Sequence, residues 1–162
     1  MKKILILFLL ITSTLSAQKK LDKLLNKFNK NNVPYISVDT LATRNAILLD
    51  AREEKEYKVS HLKNAILVGF NHFNIHKTLE KLPEDKSAKI VVYCSLGIRS
   101  EIIAHQLIEK GYTNVFNLYG GIFEWKNNNY QVLDTLGNTT EKIHTFNKKW
   151  SKWLFKGEKV YE

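Results

Sequence analysis

Hydrophobic residues along this chain occur in short runs that alternate with segments in which apolar positions recur at helical spacing. The runs are apolar and rich in β-branched residues, as in strands buried within a sheet. They span residues 33–38, 46–49, 65–68, 90–93 and 115–118. Strands that alternate with helices in this way predict an α/β fold with a mostly parallel five-stranded sheet and helices on both faces.

Start and stop signals place helices between these runs. Pro83 ends one predicted helix and Gly111 another, because proline interrupts helical hydrogen bonding and glycine readily adopts the conformation that follows a helix. A capped helical turn is predicted at 39–42 and a short helix at 53–57. Longer helices are predicted at 73–82 and 99–110, and a last short helix starts at Gly120.

The start of the chain has the organisation of a secretory signal. Lys2 and Lys3 precede an apolar run at 4–11, and small residues fill much of 12–17. The apolar run is too short to span a bilayer, which takes about 20 residues. We therefore expect residues 1–17 to be a cleaved signal peptide, the protein to be periplasmic or secreted, and the mature chain to have no stable membrane anchor.

The remaining residues are enough for one domain with flanking segments. Residues 18–35 are predicted to hold an N-terminal amphipathic helix, packed on the domain, and a lead-in to the first strand. The domain itself is predicted at 36–130, and residues 131–162 are predicted to form a C-terminal extension packed on it. Within this extension, 131–139 reads as a loop or hairpin that turns at 136–138.

Four apolar residues near the end of the chain recur at helical intervals: Phe146, Trp150, Trp153 and Leu154. They predict an aromatic helical tail. We expect its two tryptophans to dock on the domain and cover core surface, because aromatic side chains bury large areas. The alternatives are that the tail binds a partner or lines the catalytic mouth.

The charge of the chain is strongly positive. It has 25 lysines and arginines against 16 acidic residues, a formal net charge of +9. Such a charge attracts nucleic acids or small anions, but no nucleic-acid-binding motif accompanies it. We interpret the lysines as a solvated surface with weak steering of small anions, and expect no nucleic-acid partner.

Cys94 is the only cysteine and directly follows the apolar run 90–93. A helical pattern begins a few residues later, so a strand delivers one thiol to the start of a helix. Gly97 can adopt the positive φ that a tight loop requires. The unpaired amides of a helix start and the Arg99 guanidinium stabilise a thiolate in such a loop. The alternative is that Cys94 is a small buried hydrophobic residue.

Three stretches, in order, resemble the signatures of rhodanese-like sulfurtransferase domains. The loop 94–100, Cys-Ser-Leu-Gly-Ile-Arg-Ser, resembles the family's Cys-x-x-Gly-x-Arg-Ser active-site loop. Residues 49–65 resemble its Asp-x-Arg, Glu-Tyr and Gly-His-Ile-x-Gly-Ala signature, although Ser60 and Asn64 replace the usual glycines. Residues 117–125 are similar to its closing Leu-x-Gly-Gly-x-x-x-Trp.

This resemblance implies a sulfurtransferase that works through a Cys94 persulfide. Thiosulfate, a persulfide or a polysulfide would donate the sulfur, and a thiol, including that of an exported protein, or cyanide would accept it. No metal or organic cofactor is required. The implied anion-binding loop is Ser95, Leu96, Gly97, Ile98, Arg99 and Ser100. The apolar side chains at 96 and 98 favour persulfides or polysulfides as donors.

Asp50, Arg52 and His61 are expected to support the site. Asp50 ends a strand, where open α/β sheets place ligand-contacting groups; we assign it an orienting role, the alternative being a cap on the helix at 53–57. Arg52 and Glu56 are four residues apart, close enough to pair across a helical turn. By resemblance, His61 supports the fold and is not an acid or base.

Other chemistries fit the sequence less well. His72, His76 and Glu80 share a four-residue spacing, but this spacing is easily met by chance, so no metal site is predicted. A cysteine phosphatase has a larger loop, with one more residue between cysteine and arginine than the four found here. Disulfide exchange normally needs a second thiol. A non-catalytic binding module for an exported partner is the main alternative.

Overall fold

The five apolar runs form one parallel sheet in the computed structural model, which describes residues 18–161. The predicted signal peptide lies outside the described residues. The strand order is β1-β5-β4-β2-β3, and every pairing is parallel. The strands are β1 (Tyr35–Ile36), β2 (Ile47–Asp50), β3 (Ile66–Leu67), β4 (Ile90–Tyr93) and β5 (Val115–Leu118). The predicted α/β fold with a five-stranded sheet is therefore confirmed.

Helices connect these strands at the predicted places, with some differences in length. Residues 18–28 are helical and form α1. The helices that follow are α2 (Val38–Ala42), α3 (Glu54–Val59), α4 (Ile75–Leu79), α5 (Arg99–Glu109) and α6 (Gly121–Asn127). The predicted first strand is too long, because the Ser37 hydroxyl accepts a hydrogen bond from the Thr40 amide at 3.2 Å and starts α2 inside it.

β4 is the centre of the fold. It lies between β2 and β5, and all four of its residues have no exposed surface. Since successive side chains of a strand point to opposite faces, both faces of the sheet are covered at this strand. Helix α5 contributes to the cover through Ile103, Ala104 and Leu107. The residue that follows β4 at its carboxyl end is Cys94.

A buried ion pair closes the end of β2. The Asp50 carboxylate accepts hydrogen bonds from the Arg52 amide at 3.0 Å and from Arg52 Nη2 at 2.7 Å. Arg52 Nη2 also donates to the Ser60 carbonyl oxygen at 2.6 Å. Burial lowers the pKa of the Arg52 guanidinium, but the Asp50 carboxylate outweighs this, and the pKa is raised. The predicted pairing of Arg52 with Glu56 is wrong, because the Arg52 guanidinium donates to Asp50 and the Glu56 carboxylate is occupied by another arginine.

The C-terminal extension consists of short strands around one short helix. Its elements are β6 (Val132–Leu133), β7 (Thr139–Thr140), β8 (Lys142–His144), α7 (Lys148–Ser151) and β9 (Glu158–Val160). β6 and β7 form the predicted antiparallel hairpin, and β8 pairs in parallel with β9. The prediction of an aromatic helical tail is wrong in its extent, because only the four residues of α7 are helical in this part of the chain. Phe146 has a φ of 64°, outside the helical range, and the Asn147 side chain caps α7 instead.

Among the described residues, no helix is both long enough and apolar enough to cross a membrane.

We expect Asp50→Ala to lower the free energy of unfolding by about 3 kcal/mol or more, because it leaves the Arg52 charge buried without its carboxylate partner. Urea unfolding followed by circular dichroism measures this. Glu54→Ala is the matched control, since Glu54 pairs with Lys58 on an exposed surface and such a pair contributes less than about 1 kcal/mol. Equal effects of the two substitutions would contradict this assignment of the Asp50–Arg52 pair.

Candidate active site

Cys94 lies at the base of a cavity of about 260 Å³. Its side chain is 2% exposed, and it is a free cysteine. Ser95, Leu96 and Ile98 between β4 and α5, and Arg99 at the start of α5, line the same cavity. The sulfur is thus well shielded from solvent and still faces an open space.

Main-chain amides of the loop point at the sulfur. The Gly97 amide donates a hydrogen bond to Cys94 Sγ at 3.1 Å. Gly97 has a φ of 102°, a value that other residues rarely adopt, and a Cβ there would lie 3.2 Å from the Leu118 carbonyl oxygen. The Asn117 side chain donates to the Gly97 carbonyl oxygen at 2.8 Å and so fixes the orientation of this residue.

The first amides of α6 donate hydrogen bonds to two carbonyl oxygens of the loop, on the side away from the sulfur. The Ile122 amide donates to the Cys94 carbonyl oxygen at 2.9 Å, and the Phe123 amide donates to the Ser95 carbonyl oxygen at 3.2 Å. In a trans peptide the carbonyl and the next amide point in opposite directions. Because the Ser95 carbonyl faces α6, the Leu96 amide points away from α6, and it contributes a backbone hydrogen bond to Cys94.

Arg99 is held by a carboxylate from α3. Its Nη1 donates to Glu56 Oε2 at 2.7 Å and its Nη2 to Glu56 Oε1 at 2.8 Å. The same Nη2 donates to Ser95 Oγ at 3.0 Å. Glu56 therefore pairs with an arginine of the loop, where the sequence prediction paired it with Arg52. Burial raises the pKa of Glu56, but its bonds to Arg99 outweigh this, and the pKa is lowered to about 2.

These surroundings favour the thiolate. Burial raises the pKa of the Cys94 thiol, but the Arg99 charge, the Ser100 hydroxyl and the Ser100 and Leu96 amides together lower it below its ordinary value. The Ser100 hydroxyl lies 3.5 Å from Cys94 Sγ and 2.7 Å from Asn117 Oδ1. Since a hydroxyl has a single proton, its stronger bond in this state is to Asn117. The backbone amides and the nearby charge are the main support of the thiolate.

The predicted supporting residues Asp50, Arg52 and His61 are not among the residues that line the cavity. Asp50 pairs in register with Tyr93, the residue before Cys94. The His61 ring stacks on Tyr57 with centroids 4.0 Å apart, and its Nδ1 lies 3.2 Å from the Tyr57 carbonyl oxygen. These contacts are those of residues that hold the fold around the site. Among the described residues, no three histidine, cysteine or acidic side chains come together to hold a metal ion.

Of the further residues of the site, Asn117 was not predicted, and Phe146 and Trp150 were placed at the catalytic mouth only as an alternative. Asn117 joins the Gly97 carbonyl to the Ser100 hydroxyl, and its position inside a buried strand was the available signal, because a buried amide needs hydrogen-bonding partners. Phe146 and Trp150 of the extension line the cavity with Cys94. The interpretation of Trp150 as a cover for core surface is therefore incomplete, since its ring also forms part of the cavity wall.

The described residues thus form a parallel α/β domain with one cysteine held in a loop of inward-facing amides, at the carboxyl end of the central strand. The family profile of the rhodanese-like domain matches residues 18–128, more than half of the chain. The chain therefore belongs to the rhodanese-like domain family, and the resemblance in its motifs is confirmed.

Two kinds of curated relative are similar to this chain. A thiosulfate sulfurtransferase GlpE of Coxiella burnetii is 33% identical over 88 residues, which are 51% of this chain and 74% of that protein. A tRNA uridine(34) hydroxylase of Hamiltonella defensa is 40% identical over 82 residues, 49% of this chain. The match spans 23% of the hydroxylase, so the chain corresponds to only a part of that protein.

Solved structures have the same fold. The crystal structure of a rhodanese-related protein from Thermoplasma volcanium matches with a TM-score of 0.54 and 25% identity, and covers 62% of this chain and 97% of that chain. The thiosulfate sulfurtransferase of Pseudomonas aeruginosa matches with a TM-score of 0.57 and 19% identity, and covers 85% of this chain and 26% of that chain. The latter likeness shows the fold alone.

The lowered pKa of Glu56 predicts a specific loss of stability in acid. A carboxylate with a depressed pKa stabilises the fold above its ordinary pKa, and this contribution is lost as the pH falls toward the folded-state pKa. Between about pH 5 and about pH 2, we expect the wild type to lose about 3 kcal/mol more of its unfolding free energy than Glu56→Gln. Urea unfolding at each pH measures this. Glu54→Gln should follow the wild type, and parallel profiles of wild type and Glu56→Gln would contradict the Glu56–Arg99 assignment.

Gly121 is the closest point between α6 and the loop. It has a φ of 56°, and a Cβ there would overlap the Cys94 carbonyl oxygen and lie 2.7 Å from the Ser95 carbonyl carbon. We expect Gly121→Ala to displace the loop amides and slow alkylation of Cys94 by iodoacetamide at neutral pH by about tenfold, because the thiolate fraction falls. Intact mass reports the reaction directly, since the chain has one cysteine.

Gly137→Ala is the control for this substitution, because Gly137 also has a positive φ but a Cβ there would meet nothing within 4 Å. It should leave the alkylation rate unchanged. A folded Gly121→Ala protein with wild-type alkylation would show that α6 does not set the orientation of the loop.

Proposed function

We propose that this protein is a sulfurtransferase that moves a sulfane sulfur through a persulfide on Cys94. The donor is thiosulfate, a persulfide or a polysulfide, and the acceptor is a thiol or cyanide. The observation that carries the proposal is the hydrogen bond from the Gly97 amide to Cys94 Sγ at 3.1 Å, in a cavity that a small donor can enter. The curated sulfurtransferase relative supports the same reaction class.

The reaction takes place in two steps at one site. The Cys94 thiolate attacks the outer sulfur of thiosulfate, the sulfur–sulfur bond of the donor breaks, and sulfite leaves with the bonding electrons. An acceptor thiolate then attacks the outer sulfur of the Cys94 persulfide and releases the Cys94 thiolate. Two half-reactions of this kind give ping-pong kinetics.

The loop is suited to both charged states of the cysteine. The thiolate and the persulfide anion each place a negative charge beside the loop amides, which are already oriented before reaction. Preorganised donors of this kind stabilise developing charge without a reorganisation cost. The Arg99–Glu56 pair keeps the loop in this conformation, since Arg99 also contacts Ser95.

We also propose that the protein acts after export. The support is the basic, apolar and small-residue order of residues 1–17. A thiol acceptor outside the cytoplasm, either a small molecule or an exported protein, follows from this location.

A phosphatase reaction has less support. Only four residues separate Cys94 from Arg99, and both terminal nitrogens of Arg99 are bonded to Glu56. A phosphate dianion would have to displace that carboxylate to reach the guanidinium. The binding-module alternative has no observation in its favour at this site, whereas the oriented amides favour chemistry.

We expect Cys94 to gain one sulfur atom when the protein is incubated with thiosulfate or with an organic persulfide, and to lose it on addition of a thiol or cyanide. Intact mass spectrometry measures both changes, and sulfite release confirms turnover with thiosulfate. Cys94→Ser is the control and should gain nothing. An unchanged mass with thiosulfate and with persulfides would rule out sulfur transfer, and Cys94-dependent hydrolysis of an aryl phosphate would favour the phosphatase instead.

A further inference from the structure

The C-terminal extension contributes an aromatic wall to the cavity above Cys94. Phe146 and Trp150 line the cavity together with the loop residues Leu96 and Ile98 and with Phe70. Trp150 belongs to α7, and Phe146 precedes it by four residues. Apolar side chains thus surround much of the space that a donor must enter.

This wall is fixed by contacts between the extension and α6. The Asn127 side chain accepts from the Phe155 amide at 2.7 Å and donates to the Trp153 carbonyl oxygen at 3.0 Å. Ile143 and Leu154 are fully buried. The segment that carries both rings is therefore anchored before and after them, and the rings are positioned features of the site.

The charges of the cavity disfavour a dianion. Among the described residues that line the cavity, Arg99 is the only cation, and its guanidinium already pairs with Glu56 at 2.7 Å and 2.8 Å and stabilises the Cys94 thiolate. Glu53 adds a carboxylate to the lining. Two lysines lie near the wall but outside the lining, with Lys55 Nζ 5.9 Å from the centroid of the Phe146 ring and Lys149 Nζ 5.7 Å from that of the Trp150 ring. Thiosulfate carries two negative charges and would approach a thiolate and Glu53 here, with no lining cation other than Arg99 among the described residues.

From these observations we infer that Phe146 and Trp150 form a subsite for the organic group of a persulfide donor, and that they select ring-bearing or otherwise apolar persulfides over thiosulfate. The inference rests on the proposed sulfurtransferase function and adds the residues that determine its donor. Moving an apolar group from water to such a wall is favourable, because it buries apolar surface. The charged sulfonate of thiosulfate has no apolar surface to bury there.

The transfer from such a donor is balanced. The Cys94 thiolate attacks the outer sulfur of R–S–SH, a bond forms between Sγ and that sulfur, and the sulfur–sulfur bond of the donor breaks. The bonding electrons leave with the inner sulfur, which takes the proton and departs as R–SH. The product is the Cys94 persulfide anion, and no outside oxidant or reductant takes part.

The test compares benzyl persulfide, methyl persulfide and thiosulfate as donors to the full-length protein, with the rate of sulfur loading on Cys94 followed by intact mass. We expect benzyl persulfide to load sulfur at least about tenfold faster than the other two donors. A factor of ten in rate corresponds to about 1.4 kcal/mol, and burial of an aromatic ring contributes more than this. Methyl persulfide has the same reacting atoms and so isolates the effect of the ring.

Trp150→Ala and Phe146→Asn should each slow loading from benzyl persulfide by about tenfold and change the rates of the other donors less than about twofold. Asparagine is chosen at 146 because it tolerates the positive φ found there. Phe155→Ala is the matched control, since Phe155 lies in the same extension, is 64% exposed and is absent from the cavity lining; it should leave all rates unchanged.

The outcomes separate the two proposals. If no donor loads sulfur on Cys94, the sulfurtransferase function fails, and the donor subsite with it. If sulfur is loaded but thiosulfate equals or exceeds benzyl persulfide, or if the wall substitutions slow all three donors equally, the function stands and the aromatic subsite is overturned.

Discussion

A buried sulfur carries a negative charge only where hydrogen-bond donors converge on it, and this requirement organises the structure around Cys94. Burial alone favours the neutral thiol. The Gly97 amide at 3.1 Å from Sγ and the neighbouring Arg99 charge offset that cost. The parallel sheet places the thiol at the end of its central strand, and α6 turns the loop carbonyls away from it. Every other feature of the site either holds this loop or shapes the space above it.

The elements that hold the loop come from distant parts of the chain. Glu56 reaches Arg99 from α3, and Asn117 reaches Gly97 from β5. The ion pair keeps Arg99 in place beside the sulfur, where the guanidinium interacts with both Glu56 and the Cys94 thiolate. Arg99 and the main-chain amides thus stabilise charge on the sulfur together, and the apolar lining of the cavity suits a donor with an apolar body. The C-terminal extension adds to this character by bringing two aromatic rings to the wall.

The sequence was sufficient for the features that depend on local pattern. The strand before Cys94, the helix after it and the glycine of the loop each leave a signal within a few residues, and the parallel direction of the strands follows from their alternation with helices. Contacts over long sequence distances were missed. Glu56 was assigned to Arg52 because they are close in sequence, yet its partner Arg99 is 43 residues away. The tail was predicted to be helical from the spacing of its aromatic residues, but this spacing does not reveal the positive φ of Phe146.

The central claim is that the loop ionises Cys94, and its most direct test is a titration of the thiolate by its ultraviolet absorbance. The difference between the wild type and Cys94→Ser isolates the one thiol of the chain. We expect the midpoint to lie below the usual value of a free cysteine, about 8.5. A midpoint at or above that value would contradict the account, because burial would then outweigh the amides and Arg99.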